Sequence, residues 1–307
     1  MTIAENITRI KNGVADAYTA LAAKGATIPQ VTKVDNLSAT VGTIPAGELF
    51  GEPTAKWFVG DNGAFTRGGK LKHVSFDGVI TVAENYGFQY FFAPQTGTNN
   101  TLETVTFPDL VSVGTGRTST AAMAYLCQNC TALTSVSFPS LETVNGSSLF
   151  NSAFNGCSSL QTVSFPALTE ILWDRDFYMA FNNCSSLSSI SFPSLENANN
   201  ATRCFDSAFN GTQITVLTFP ALSSFYEAGS STTRGGFYGN TTLQKIYFPA
   251  LKHMDGGTNT SAKSCFAGCT NLTEIHFALA NKTTIEAAPC YSIKWGAPAG
   301  TQILFDL

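Results

Sequence analysis

The chain is 307 residues long, and its composition is 44% apolar, 12% aromatic and 12% charged. Soluble domains usually carry about 25% charged residues, so Ser, Thr, Asn and Gly must supply most of the polar surface. The net charge of −4 excludes a nucleic-acid binder with a basic face, and 24 Phe residues exclude a disordered chain. No apolar stretch reaches the roughly 18 residues of a membrane span, so membrane insertion is not expected.

Residues 1–45 are predicted to form a helical leader. In its first helix, residues 2–23, the apolar residues are separated alternately by four and three positions, which is the spacing of a coiled-coil seam. This oligomerisation seam consists of Ile3, Ile7, Ile10, Val14, Ala17 and Leu21. Ile at three of the first four seam positions favours more than two strands and hence a homotrimer. Packing of the helix on its own repeat domain is the alternative.

The rest of the N-terminal region connects the first helix to the repeats. A second short helix, with Asp35 as its N-cap, is predicted within residues 34–44. Residues 46–70 are rich in Gly and are predicted to form a linker and an N-terminal cap. The sequence starts without a basic segment followed by an apolar one, so no secretory signal peptide is expected.

Residues 71–285 are predicted to form about eight repeats, because the pattern Leu-x-x-Val-x-Phe-Pro-x-Leu recurs along them. The repeated Phe residues are Phe76, Phe107, Phe138, Phe165, Phe192, Phe219, Phe248 and Phe277. Apolar residues at the first, fourth and sixth positions predict one short strand per coil with these side chains turned inward. Pro lacks a backbone N–H, so it ends each strand. Because one coil cannot bury its apolar side alone, the coils are expected to stack into a solenoid of parallel strands.

Two further segments complete the predicted architecture. A second pattern, present as Ala153-Phe154-Asn155-Gly156-Cys157 and Cys265-Phe266-Ala267-Gly268-Cys269, precedes most strands. It predicts a short helical turn on the outer side of each coil, ended by Asn or Gly. Residues 286–307 are predicted to close the apolar end of the array with a turn and a final strand.

The cysteines follow the repeat. Four of the eight lie three residues before a repeated Leu or its equivalent: Cys130, Cys157, Cys184 and Cys269. Cys at one repeated position is typical of a small buried side chain. These thiols are therefore predicted to be reduced and structural, whereas Cys204 and Cys290 lie outside this position.

The combined pattern Ala-Phe-x-x-Cys-x-x-Leu-x-x-Val-x-Phe-Pro resembles the BspA-type leucine-rich repeat family over about residues 71–285. The chain departs from it at Cys127, where Phe is expected, and before Ile214, where the coil is one residue short. The resemblance implies a leucine-rich-repeat solenoid that serves adhesion or recognition and not catalysis. The leader pattern Ala-Tyr-x-Ala-Leu-x-x-Lys-Gly-Ala-x-Ile-Pro resembles the N-terminal leader of phage and prophage tail proteins.

Patterns of catalytic and metal-binding residues are scarce. The three histidines are His73, His253 and His276. His73 and His276 are predicted at solvent-facing strand positions in the first and last coils, which lie at opposite ends of the solenoid, so a site shared by these two is not expected. Cys127 and Cys130 have the spacing of zinc ligands, but no second pair completes the four that zinc requires. No catalytic residue, metal or cofactor is therefore expected, and the chain is predicted not to be an enzyme.

The remaining candidates lie on the surface. The solvent-facing row of the strands is Ser75, Thr106, Ser137, Ser164, Ser191, Thr218, Tyr247 and His276. Strand propensity explains this uniform row, whereas aromatic and Arg side chains on rigidly held loops are typical of binding sites. The ligand-contact candidates are Trp173, Arg175, Tyr178, Arg203, Tyr226 and Arg234. Trp173 fits a buried position equally well, and Asp174, Arg175 and Asp176 are interpreted as a solvated loop rather than a calcium or sugar contact.

These observations predict a phage or prophage tail protein, located in the virion tail, whose solenoid recognises a glycan or protein on the host cell surface. Its leader is expected to attach to other tail or baseplate proteins. The main alternative is a bacterial cell-surface adhesin of the same repeat family. Nucleic acid is not an expected partner, because no basic face is present.

Overall fold

A computed structural model gives the fold and describes residues 72–83, 85–94, 96–199, 203–226, 237–255, 265–288 and 291–307. The predicted leader (residues 1–45) and the linker (residues 46–70) lie outside the described residues. The oligomerisation seam, the homotrimer and the candidate Arg234 therefore stay predictions.

Each coil except the last contributes two short strands, whereas the sequence pattern predicts one. The first strands of the coils are β1 (His73–Ser75), β3 (Thr104–Thr106), β5 (Ser135–Ser137), β7 (Thr162–Ser164), β9 (Ser189–Ser191), β11 (Val216–Thr218), β13 (Lys245–Phe248) and β15 (Glu274–Phe277). The second strands are β2 (Thr81–Val82), β4 (Ser112–Val113), β6 (Thr143–Val144), β8 (Glu170–Ile171), β10 (Asn197–Asn199), β12 (Ser224–Tyr226) and β14 (His253–Asp255). A last strand, β16 (Gln302–Phe305), follows them.

Equivalent strands pair in parallel from coil to coil. The first strands form two sheets, in the orders β1-β3-β5-β7-β9 and β11-β13-β15-β16, and the second strands form one sheet from β2 to β14. The register is strict, since Thr104 pairs with Ser135 and Ser135 pairs with Thr162. The predicted solenoid of parallel strands is therefore confirmed. The first strands line one side of the solenoid and the second strands line another.

The repeated apolar positions fill the interior between these sheets. All eight repeated Phe side chains are buried, so their predicted inward orientation is confirmed. The rings of Phe107, Phe138, Phe165 and Phe192 form a column of nearly parallel stacks with centroids 5.2, 5.5 and 5.2 Å apart. Aromatic contacts of this kind contribute beyond area burial, so each coil is stabilised by its two neighbours.

The outer side of the coils is a ribbon of consecutive turns, and the predicted helical turns are wrong there. The turn ribbon comprises residues 86–92, 119–130, 147–157, 174–184, 203–212, 237–240 and 265–269. Every fourth residue has a positive φ, as at Ala121 (53°), Tyr125 (57°) and Asn129 (59°). Left-handed residues at this interval interrupt the right-handed α-helix. Instead, Ala124 N donates to Ala121 O within the coil, and Tyr125 N donates to Asn151 O in the next coil.

Two columns of Phe line the inner side of the turn ribbon. One column is Phe154, Phe181 and Phe209, and the other is Phe150, Phe177, Phe205, Phe237 and Phe266. Phe266 therefore continues the second column, although its sequence pattern equates it with Phe154.

The C-terminal end of the array combines short helices with the last strand. Residues Leu279–Asn281 form a 3-10 helix, α1 spans Lys282–Glu286, and Tyr291–Gly296 form a second 3-10 segment that buries Trp295. Strand β16 then pairs in parallel with β15.

Candidate binding surface

Trp173 follows strand β8 and stands at the edge of the turn ribbon. Its ring is half-buried, and its Nε1 donates a hydrogen bond to Asn145 Oδ1 at 2.9 Å. The Arg117 guanidinium lies 5.6 Å from the ring centroid, which is a cation–π distance. Trp173 is therefore neither fully buried nor free of intramolecular contacts. Its Nε1 is hydrogen-bonded and its ring contacts Arg117, while part of the side chain remains accessible to solvent.

Tyr178 and Arg203 are brought together in adjacent coils. The Arg203 guanidinium lies 5.0 Å from the Tyr178 ring centroid, and its Nη2 and Nε atoms lie 2.7 and 2.8 Å from Asp206 Oδ2. Asp206 is fully buried, and the Arg203 side chain is 17% exposed. Because a buried carboxylate needs a paired charge, Arg203 acts first as a structural partner of Asp206.

Arg175 is the most accessible of the described candidates. Its side chain is 50% exposed, and its Nε lies 3.9 Å from Asp174 Oδ2, too far for a hydrogen bond. Asp174 itself accepts a 2.7 Å hydrogen bond from Ser147 Oγ in the preceding coil. The candidate Tyr226 ends strand β12, but its side chain lies outside the described residues.

Asp176 contradicts the interpretation of residues 174–176 as a solvated loop. Its side chain is fully buried, and its Oδ1 accepts a hydrogen bond from Leu149 N at 3.1 Å. Its Oδ2 has no hydrogen-bond partner in the described part of the chain. Burial raises the pKa of Asp176 well above its usual value, and the nearby Asp174 charge adds to the increase. Arg175 is exposed and occupies a left-handed position of the turn ribbon, whereas the next side chain, Asp176, is buried.

The repeated thiols form a buried row beneath the turn ribbon. The hydrogen bonds run from Cys130 Sγ to Phe92 O (3.5 Å), Cys157 to Cys127 O (3.0 Å), Cys184 to Phe154 O (3.0 Å) and Cys269 to Phe237 O (3.1 Å). The four repeated cysteines are buried and form no disulfides in the described ranges, which confirms the prediction of reduced, structural thiols. Burial raises the pKa values of Cys184 and Cys269 to about 12, so neither supplies a thiolate nucleophile near neutral pH.

The predicted solvent-facing position of His276 is wrong. The residue is buried, its ring stacks on Tyr247 at 4.2 Å, and its two nitrogens lie 2.8 Å from Asp306 Oδ1 and 2.9 Å from Glu274 Oε2. The chain after strand β16 covers the position, because it carries Asp306 to the ring. Hydrogen bonds from Lys245 and His276 lower the pKa of Glu274. In the described ranges no three His, Cys, Asp or Glu side chains could hold a metal ion.

Three tyrosines that the repeat pattern does not identify stand on the first coils of the turn ribbon. We call Tyr86, Tyr90 and Tyr125 the tyrosine shelf. Tyr86 is 53% exposed, and the rings of Tyr90 and Tyr125 stack 4.5 Å apart with an interplanar angle of 3°. Burial and the adjacent Tyr125 hydroxyl raise the pKa of Tyr90. Tyr90 and Tyr125 occupy neighbouring positions in adjacent coils but are 35 residues apart in sequence. The repeated Phe residues of these coils are 31 residues apart, so an alignment on the Phe-Pro motif does not place the two tyrosines together.

Comparison with known proteins identifies the repeat. The family model described as "BspA type Leucine rich repeat region" matches in six copies, at residues 120–250 and 152–292, which together cover more than half of the chain. No curated protein matches the chain in sequence. None of the described helices is long and apolar enough to cross a membrane.

Several solved structures are similar to the chain at low sequence identity and low TM-score. A leucine-rich repeat protein of T. pallidum is 19% identical over 73% of this chain and 81% of its own, with a TM-score of 0.34. One from Bacteroides ovatus is 14% identical over 77% and 69%, with a TM-score of 0.30. A leucine-rich cell surface protein of Faecalibacterium prausnitzii is 12% identical over 78% and 88%, with a TM-score of 0.25. At these values the likeness carries no functional argument.

Proposed function

Since the chain belongs to the BspA-type leucine-rich repeat family, we propose that it is a non-enzymatic recognition protein of the bacterial cell surface that adheres to a host-surface glycan or protein. The observation that carries the proposal is the side-chain group on the turn ribbon at Trp173, Arg175 and Tyr178. These are residue types that dominate binding energy in protein interfaces, and the stacked coils hold them in fixed positions.

The chemistry of the described residues supports recognition over catalysis. His276 is engaged on both ring nitrogens by carboxylates, and the buried thiols of Cys184 and Cys269 have pKa values of about 12. A general base or nucleophile must instead be able to reach a substrate and change its protonation state near neutral pH.

The experiment is a cell-binding measurement with the labelled full chain on cultured epithelial cells and on bacterial cells. Saturable binding is expected, and Arg175→Glu should weaken it because the substitution reverses an exposed charge in the patch. Lys252→Glu, which reverses the charge of another exposed residue on a different coil, is the matched control. No saturable binding to either cell type would overturn the proposal. An equal loss of binding in both variants would show that the surface at Trp173, Arg175 and Tyr178 is not the binding site.

The second candidate is the phage or prophage tail protein, which the leader sequence at residues 1–45 favours. In that function the seam of Ile3, Ile7 and Ile10 would form a homotrimer that multiplies weak contacts with the host surface and joins baseplate proteins. Light scattering on the full chain and on a variant lacking residues 1–45 tests the assembly. Immunodetection in purified phage particles, compared with the cell-surface fraction, distinguishes the virion tail from the adhesin.

A further inference from the structure

We propose that the tyrosine shelf is a binding site for an uncharged pyranose saccharide. The proposal rests on the recognition function above and deepens it, because it names a ligand class and a different part of the turn ribbon. It is carried by three observations: the backbone conformation of Tyr86, Tyr90 and Tyr125, the arrangement of their rings, and the lack of charge around them.

The backbone disfavours tyrosine at all three positions. Their φ values are 61°, 55° and 57°, in the left-handed region that bulky residues seldom adopt. Among the described residues, the other ribbon positions with this conformation hold mostly small or polar residues, such as Asn129, Ser148 and Gly156, and once a large apolar one, Met179. None of the three tyrosine side chains is buried in the core. Neither local conformation nor core packing explains them, which leaves a role at the surface.

The rings are arranged as a shelf around a small residue. Tyr86 N donates to Thr120 O and Tyr90 N donates to Ala124 O, so Tyr86 stands beside Ala121 and Tyr90 beside Tyr125. Because the Ala121 side chain is a single methyl group, it leaves a shallow depression in the surface. The Tyr86 ring borders this depression on one side and the stacked rings of Tyr90 and Tyr125 on the other. A flat sugar ring can place its C–H face on such aromatic edges, while its hydroxyls bond to the phenol oxygens.

The chemistry of the surroundings favours an uncharged ligand. Residues 85–94 and 119–130 contain no Asp, Glu, Lys or Arg. The half-buried amides of Gln89 and Gln128 are in the same two segments and offer both donors and acceptors, as vicinal sugar hydroxyls require. The shelf spans two coils, which lie about 4.8 Å apart. That extent suits a few sugar rings better than a protein partner, which needs about 800 Å² on each side.

The experiment is isothermal titration of the full chain with maltohexaose, mannohexaose and chitohexaose, with oligogalacturonate as the charged comparison. The test variants are Tyr86→Asn and Tyr125→Asn, because Asn tolerates a positive φ and should leave the melting temperature unchanged or higher. Met179→Asn is the matched control, since Met179 has a φ of 52° and occupies the Tyr125 position two coils further along. At least one neutral probe should bind, and each Tyr variant should weaken it about tenfold.

Each alternative outcome has a definite meaning. Binding of none of the neutral probes, binding of oligogalacturonate alone, or equal binding by Tyr125→Asn overturns the shelf as a saccharide site. If the Tyr variants lose cell binding that protease treatment of the cells also abolishes, and no saccharide binds, the partner is a protein and the proposal is overturned. Cell binding that persists without saccharide binding overturns the shelf alone, whereas saccharide binding without cell binding overturns the adhesion function alone.

Discussion

Gly156 lies directly against the side chain of Asn129 in the neighbouring coil, and a Cβ atom on Gly156 would fall 2.4 Å from Asn129 Oδ1. The same relationship recurs two coils later, where a Cβ on Gly211 would fall 2.9 Å from Asn183 Oδ1. All four residues have positive φ values. Asn and Gly therefore alternate along this row because each Asn side chain occupies the space that the next Gly leaves empty.

Gly156→Ala is expected to destabilise the solenoid by about 2–4 kcal/mol, because it adds both left-handed strain and a contact shorter than real Cβ atoms allow. Gly97→Ala is the matched control, since its φ is +75° but no atom lies within 4 Å of the added Cβ. It should lose only the conformational part, roughly 1–2 kcal/mol. Urea unfolding measures both, and equal losses would show that Asn129 yields freely.

Phe165→Ala is expected to cost about 3–5 kcal/mol, as for other truncations of a buried Phe. The ring is fully buried and stacks on Phe138 at 5.5 Å and Phe192 at 5.2 Å, so its removal would leave a cavity between the two neighbouring coils, one on each side. Ser164→Ala, at the adjacent exposed position of β7, should change stability by no more than about 0.5 kcal/mol. An unchanged melting midpoint for Phe165→Ala would contradict the stacked core.

The sequence predicted the parts of the fold that a repeated apolar side chain marks. Phe165 and its equivalents recur with a motif, so their strand and inward orientation could be predicted. The second strand could not, because Thr143–Val144 is two residues long and gives no alternation to detect. The turn ribbon was also missed, since its left-handed positions hold residues such as Tyr125 and Met179, which carry no turn preference.

The sequence allowed the residue types of the candidate surface to be predicted, but not the contacts that these residues make with other coils. Trp173 and Tyr178 stand out in sequence as large side chains between repeats, and both are partly accessible. The burial of Asp176 and His276 depends on neighbouring coils, since Leu149 N and Asp306 reach them across 27 and 30 residues of sequence. No local pattern encodes such contacts, because they follow from the coil-to-coil register.

The buried thiols of Cys157 and Cys184 are expected to resist alkylation in the native protein at pH 8 and to react on unfolding. Reductant should leave the melting temperature unchanged, because the described cysteines form no disulfides. Mass mapping of native protein with iodoacetamide measures the first point. An intramolecular disulfide among Cys130, Cys157, Cys184 and Cys269 would contradict the prediction.

The same thiols predict loss of stability in alkali. The folded pKa of Cys184 is about 12, whereas an unfolded thiol ionises near pH 8.5. The unfolded state therefore binds fewer protons above about pH 8.5, and stability falls as the pH rises towards 12. Cys184→Ala should reduce this slope, while its stability near pH 7 reports only the lost packing and the bond to Phe154 O. An unchanged alkaline slope would show that the Cys184 thiol is not protected in the folded protein.

Asp176 predicts a pH dependence of the same sign in the acid to neutral range. Its folded pKa is raised, so the folded state holds a proton that the unfolded carboxylate has released. Its contribution is therefore most favourable below the unfolded pKa of about 4 and is lost as the pH rises through the folded pKa. Asp176→Asn keeps an oxygen that can accept from Leu149 N but carries no charge.

The variant should consequently be more stable than the parent protein near pH 7, by about 1.4 kcal/mol for each unit by which the pKa is raised below that pH, and the difference should shrink towards pH 4. Urea unfolding at pH 4, 5.5 and 7 measures it. Asp174→Asn is the matched control, because this neighbouring carboxylate is 44% exposed and hydrogen-bonded to Ser147, so its removal should give no such gain at pH 7. A stability difference for Asp176→Asn that stays constant from pH 4 to 7 would mean that Asp176 is solvated in the folded state, contrary to its position beneath the turn ribbon.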